Sequence, residues 1–121
     1  MKLSIAKTEL QKGLARIQAV VDKRNSMPIL ANVMLEAIQG KTGSLQISAT
    51  DLEVGIQSSQ AAEVQEPGGV TVSAKTLYEI VRELPDEIVH LESTANAFLS
   101  IQCERSQFKL AGTSPEEYPT L

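Results

Sequence analysis

KTELQKGLARIQAVV, residues 7–21, is the stretch that decides how the rest of the chain is read. Wound as a helix at ~100° per residue, it sets Leu10, Leu14, Ile17 and Val21 on one narrow stripe. Lys12, Arg16 and Lys23 fall nearly opposite, with Thr8 and Ala19 close by and Glu9 as the one acidic neighbour. Thr8 is placed to cap the helix, and Gln11 stands three residues later as its capping-box partner. One face requires a core. The other, in an acidic chain, collects positive charge.

Working outward, residues 2–6, KLSIA, alternate with Leu3 and Ile5 on one side and predict a short strand. Residues 22–32 form a loop, because Pro28 forbids helical continuation and biases Met27 toward extended geometry. Strands are expected at 33–39, 44–50 and 53–63, separated by a turn at 40–43 and another near Asp51. QEPGG at 65–69 is the strongest break. Beyond it the chain repeats its first half. Leu3, Ile5, Leu10, Leu14 and Ile17 reappear as Val70, Val72, Leu77, Val81 and Leu84, each 67 positions on. Ile80 joins this second stripe, Pro85 ends the second helix, and strands are again expected at 87–92, 97–104 and 107–112. The pattern is strand, helix and three strands, used twice, with repeats at about 1–65 and 68–115. Two such units should pack their helices side by side against antiparallel sheet, since each apolar stripe needs a buried partner surface. The second helix offers Lys75 and Arg82, seven residues apart and roughly aligned, with Tyr78 and Glu79 between them.

The totals narrow the function. A chain of 121 residues is the size of one domain and can bury a real core. Aromatic residues make up 3% and Trp is absent, which disfavours base-stacking platforms for single strands. The net charge of -4 argues against a general nucleic-acid coat, though not against cations gathered on one surface. The single Cys103 excludes an internal disulfide framework and suits a reducing compartment. With no apolar run of membrane length and no signal-peptide pattern, the expected setting is the cytoplasm.

Few residues invite a catalytic reading. Asp51 and Glu53 could be paired carboxylates of a small acid-base or metal-dependent hydrolase. A turn aspartate bonded to local backbone, followed by an outward strand glutamate, is the plainer account. His90 is the only histidine and lies in a strand, without triad or metal spacing. Cys103 reads as a small packed side chain. Gly68-Gly69 is too short and wrongly placed for a phosphate-binding loop. No catalytic residue, metal or cofactor is expected. A stand-alone interaction module, its basic helix face binding an acidic partner, is a further alternative.

Met27-Pro28-Ile29-Leu30-Ala31-Asn32 followed by Ala49-Thr50-Asp51-Leu52-Glu53 resembles the first domain of the bacterial DNA polymerase III beta subunit family of sliding clamps. The opening MKLSI, the Glu66-Pro67-Gly68 break, Val72-Ser73-Ala74-Lys75 at the second helix start, and Phe108-Lys109-Leu110 fit the same pattern. The resemblance covers essentially the whole chain.

It implies an α+β, DNA-clamp fold: a pseudo-two-fold repeat of a β-α-β-β-β unit with two helices packed on antiparallel sheet. It also implies a non-catalytic processivity factor. In the family, two subunits of three similar domains each form a homodimeric ring around duplex DNA and tether the polymerase. Residues 1–121 would be the first of those domains, an excised third of the subunit. Lys12, Arg24 and Arg82 match positions where the family carries DNA-facing basic residues, and Lys75 matches another. Thr76 replaces a position that is often basic. Arg16 and Lys23 are assigned from helical facing alone. Arg105, Phe108 and Leu110 match an edge strand that meets the other subunit, with Gln107 standing where a second arginine often occurs. The pocket for DNA polymerase III and clamp-loader peptides is expected in later domains, outside this chain. No membrane partner is implied.

Overall fold

The alternation and helical stripes translate into eleven regular elements: β1 (Lys2–Ala6), α1 (Lys7–Val21), β2 (Asn32–Ile38), β3 (Ser44–Thr50), β4 (Gly55–Ala61), β5 (Glu63–Glu66), β6 (Gly68–Ser73), α2 (Ala74–Glu83), β7 (Ile88–Ser93), β8 (Phe98–Cys103) and β9 (Ser106–Ala111). A short 3-10 turn at Pro115–Glu117 comes after them. This is a computed structural model, and it describes residues 1–21, 31–50 and 54–119. The Val21 side chain, Lys23, Arg24, Asp51 and Glu53 lie outside the described residues.

The strands form two sheets, β5-β1-β7-β8-β9 and β4-β3-β2-β6, and every pairing is antiparallel. The repeat explains the order. Each half builds a three-stranded meander, β2-β3-β4 or β7-β8-β9, and lends its first strand to the other half's meander. Thus β1 pairs with β7 from Lys2↔Glu92 to Ala6↔Ile88, and β6 pairs with β2 from Asn32↔Ser73 to Ala37↔Gly68. Neither half has a complete sheet without the other. The ten apolar positions that recur at the 67-residue displacement are all buried in one core. Each large one contributes roughly 1.5–3 kcal/mol by leaving water. The two helices pack against each other, and α1 also lies on β3 and β4.

Two expectations are corrected. The strand expected over 53–63 is not one strand. Backbone pairing carries β4 along β3 to Ala61, and after Ala62 the chain crosses to the other sheet as β5, beside β1. Pro67 then lies between β5 and β6, so the QEPGG break is a passage from one sheet back to the other. The second correction concerns the start of α1. Thr8 lies inside the helix, which begins at Lys7 directly after β1. There the Lys7 amide, one of those a helix start leaves without an intrahelical partner, donates to the Glu87 carbonyl at 3.0 Å and extends the β1–β7 ladder. At α2 a side-chain cap does form: Ser73 Oγ accepts from the Thr76 amide.

Candidate nucleic-acid interface

On α1, burial of Leu10, Leu14 and Ile17 leaves Lys12 and Arg16 exposed on the side turned from the core. Between them Gly13 is buried, and α1 lies so close to the sheet there that a methyl group would stand 2.8 Å from Ile47 Cδ1. Glu9 is half-buried. Its Oε2 accepts from Gln60 Nε2 at 2.6 Å, and Gln60 Oε1 accepts from Ser58 Oγ at 2.6 Å. A short chain of polar groups therefore runs from β4 into the flank of the basic face.

On α2, Leu77, Val81 and Leu84 are buried while Lys75, Thr76, Glu79, Arg82 and Glu83 are exposed. Arg82 lies 5.9 Å from the centroid of the Tyr78 ring, and its Nε is 4.0 Å from Glu83. With both partners solvent-exposed, that ion pair holds Arg82 only weakly. The positions related by the repeat to Lys12 and Arg16 are Glu79 and Glu83. The two helices are therefore unlike in charge, cationic on α1 and mixed on α2.

Another cation of α1 has a different task. Lys7 Nζ donates to the Leu84 carbonyl at 2.7 Å and to the Arg82 carbonyl at 3.2 Å. It satisfies carbonyls that the end of α2 leaves without an intrahelical partner and sets positive charge against the negative end of the helix dipole. Nothing in the local sequence around Lys7 points to this, because its partners lie more than seventy residues away.

The expected subunit-contact residues gather on and beside β9, an edge strand. Arg105 is exposed in the turn leading into it, and Gln107 is exposed on the strand. Phe108 pairs with Ile101, and Leu110 with Leu99. Since directly paired residues share a face, Phe108 and Leu110 lie on the core side of the sheet. The core ends there, leaving Phe108 39% exposed and Leu110 partly covered.

Nothing in the sequence around Tyr118 marks it, yet it joins the two stretches that carry the family resemblance. Its hydroxyl donates to the Asn32 carbonyl at 3.2 Å and accepts from the Thr50 amide at 3.1 Å. Burial raises its pKa above the ordinary tyrosine value, with the Thr50 amide pulling the other way. Burial likewise raises the pKa of the Cys103 thiol, and the Glu104 carboxylate adds to the effect. Cys103 is fully buried, as expected of a packed side chain. His90 is exposed and shares a hydrogen bond with Ser4 through Nδ1 at 2.9 Å. Among the described residues no three His, Cys, Asp or Glu side chains are grouped to hold a metal, and no helix is long and apolar enough to cross a membrane.

Comparison with known proteins decides what this arrangement belongs to. The family model described as DNA polymerase III beta subunit, N-terminal domain, matches residues 1–121. The chain belongs to that family. It is 40% identical over 123 residues to a beta sliding clamp of Caulobacter vibrioides and 39% identical over 122 residues to one of Synechococcus elongatus. Both alignments cover 100% of this chain and 32% of the relative, so the chain spans about a third of their length. Among solved structures, the sliding clamp from Caulobacter crescentus superposes with a TM-score of 0.90 at 41% identity, covering 100% of this chain and 32% of that one. The clamp from Bacillus subtilis gives 0.92 at 25% identity, covering 100% and 33%. The fold is the DNA-clamp fold: two helices and two antiparallel sheets in a pseudo-two-fold β-α-β-β-β repeat.

Proposed function

We propose that residues 1–121 act as the first of three domains in a DNA sliding clamp, with internal repeats at about 1–65 and 68–115. The clamp is a homodimeric ring that encircles duplex DNA without reading sequence. It tethers DNA polymerase III, and its contacts with polymerase and clamp loader are made through later domains. It is a non-catalytic subunit of the replicative polymerase, and its compartment is the cytoplasm. The observation that carries this reading is the match of the family model over residues 1–121, together with exposed cations on the helices of the same residues. Lys12, Arg16, Lys75 and Arg82 are the described residues that face the duplex in this reading. Lys23 and Arg24 are assigned to the same surface from the sequence.

A sliding protein needs attraction to phosphate without base contacts that would pin it. Long Lys and Arg side chains across water supply that, and acidic charge on the remaining surface keeps DNA off the outside. At β9, the edge strand and the half-covered Phe108 and Leu110 support a sheet-to-sheet contact with a second subunit, flanked by Arg105 and Gln107.

The test uses the complete subunit loaded on nicked circular duplex DNA. Retention should be lost when the circle is linearised. Lys12→Ala with Arg16→Ala should lower the salt slope of retention by up to about two, at roughly 0.9 per phosphate contact, without changing ring assembly. An unchanged slope removes α1 from the DNA-facing surface, and retention that survives linearisation removes the ring.

A further inference from the structure

Glu9 is placed to spoil the basic face and does not do so. It stands three residues before Lys12, a spacing at which opposite charges on a helix pair. Yet among the described residues the only ion pair joins Arg82 and Glu83. Gln60 holds the Glu9 carboxylate instead, donating from Nε2 to Oε2 at 2.6 Å. The amide has one productive orientation, because the ionised Glu9 carboxylate only accepts and so takes the nitrogen, which leaves Oε1 to accept from the Ser58 hydroxyl at 2.6 Å. Gln60 and Ser58 are 4% and 7% exposed, so this pairing forms away from bulk water, where a hydrogen bond to a charged acceptor is strong. Gly13, the residue a full turn beyond Glu9, leaves room for it: a methyl group there would lie 3.0 Å from Gln60 Cγ.

We propose that Gln60 is a positioning residue for the phosphate contact of Lys12, holding the Glu9 carboxylate against β4 so that the Lys12 ammonium stays free for DNA. The inference rests on the clamp reading above. Without the Gln60 amide, the cation at a facing helical spacing from Glu9 is Lys12, because Lys7, two residues before it, faces away and is bound to the end of α2. A Glu9–Lys12 pair would neutralise one charge of the sliding surface and release fewer counterions when DNA binds. Gln60 thus acts on DNA through Glu9 and Lys12 and touches no phosphate itself.

The experiment measures retention of the complete ring-forming subunit on mixed-sequence duplex DNA as a function of salt. Gln60→Met keeps similar bulk and removes the donor. It should weaken retention about two-fold, the scale of a competing helical ion pair, and reduce the salt slope by less than about one. Glu9→Gln in the same chain should restore both values, and in a Lys12→Ala background Gln60→Met should leave the slope where Lys12→Ala put it. A residue that only stabilised β4 would weaken retention whether or not Glu9 were charged, so failure of the Glu9→Gln rescue overturns the proposal. So does a normal slope for Gln60→Met when Lys12→Ala lowers it. A slope unaffected by Lys12→Ala itself overturns the clamp reading of α1 and this inference with it. If Gln60→Met does not fold, Ser58→Ala removes the donor that holds Gln60 Oε1 and loosens the amide's grip on Glu9, and it should give a smaller change of the same sign, again reversed by Glu9→Gln.

Discussion

Gly13 shows how one residue serves both faces of α1. In an exposed helix, Gly→Ala gains roughly 1 kcal/mol from helix propensity. At this position the added methyl would meet Ile47 Cδ1 at 2.8 Å and Gln60 Cγ at 3.0 Å, and both of those side chains are buried. Overpacking of a filled core costs about 1–3 kcal/mol, so the clash outweighs the propensity gain. Gly13→Ala should therefore destabilise the chain by about 1 kcal/mol, read as a lowered urea midpoint with an unchanged slope. A raised midpoint would mean that α1 can lift from the β3–β4 pair at little cost. The polar partners at this contact were half legible. Counting by twos from Ile56 puts Ser58 and Gln60 on the buried side of the strand, and a buried amide needs a partner. That the partner is Glu9, fifty-one residues earlier, is a fact of tertiary packing.

At the scale of elements, the helices were the most legible part of the chain because their apolar stripes are long and periodic. Their ends were not. The α1 start depends on the Glu87 carbonyl, and the α2 end depends on Lys7. Each is a contact between the two halves that local capping rules do not contain. Lys7→Met keeps the aliphatic stem and removes the ammonium that binds the Arg82 and Leu84 carbonyls. The expected loss is about 1 kcal/mol, combining a charge-assisted hydrogen bond with the dipole interaction at a partly exposed site. Comparing urea unfolding of the two proteins at low and high salt checks the cause: the difference between them should narrow as salt rises. A constant difference would assign the effect to packing of the stem. The strand expected over 53–63 failed for a related reason. Residue alternation sets which face is buried and carries no information about which sheet the chain joins, so the crossing at Ala62 is invisible locally.

For the whole molecule, the pseudo-two-fold repeat places β4 and β9 in corresponding positions as the last strand of each meander. The β6 edge is differently treated: the Thr71 and Thr113 backbones bond to each other across it. On β9 the core side stops short of covering Phe108. If this edge joins a second subunit, Phe108→Asp in the complete subunit should weaken the dimer at least about ten-fold, since a charge would be buried at an apolar contact. Sedimentation velocity would show the shift to monomer, and an unaltered dimer would place the contact elsewhere.

The two β-α-β-β-β units, the helix stripes, the burial of the recurring apolar positions and the sign reversal on α1 can all be read from the order of residues alone. These are consequences of periodicity, a local property that any packed partner must respect. Long-range packing sets the rest: the halves exchange their first strands, Lys7 closes α2 and so is bound at that helix end, and Gln60 holds Glu9. Those outcomes depend on groups far apart in the chain meeting at hydrogen-bonding distance. The stretch at 7–21 announces a helix with a cationic face; that Glu9 beside it is held by β4, and Lys7 by the end of α2, follows from tertiary packing.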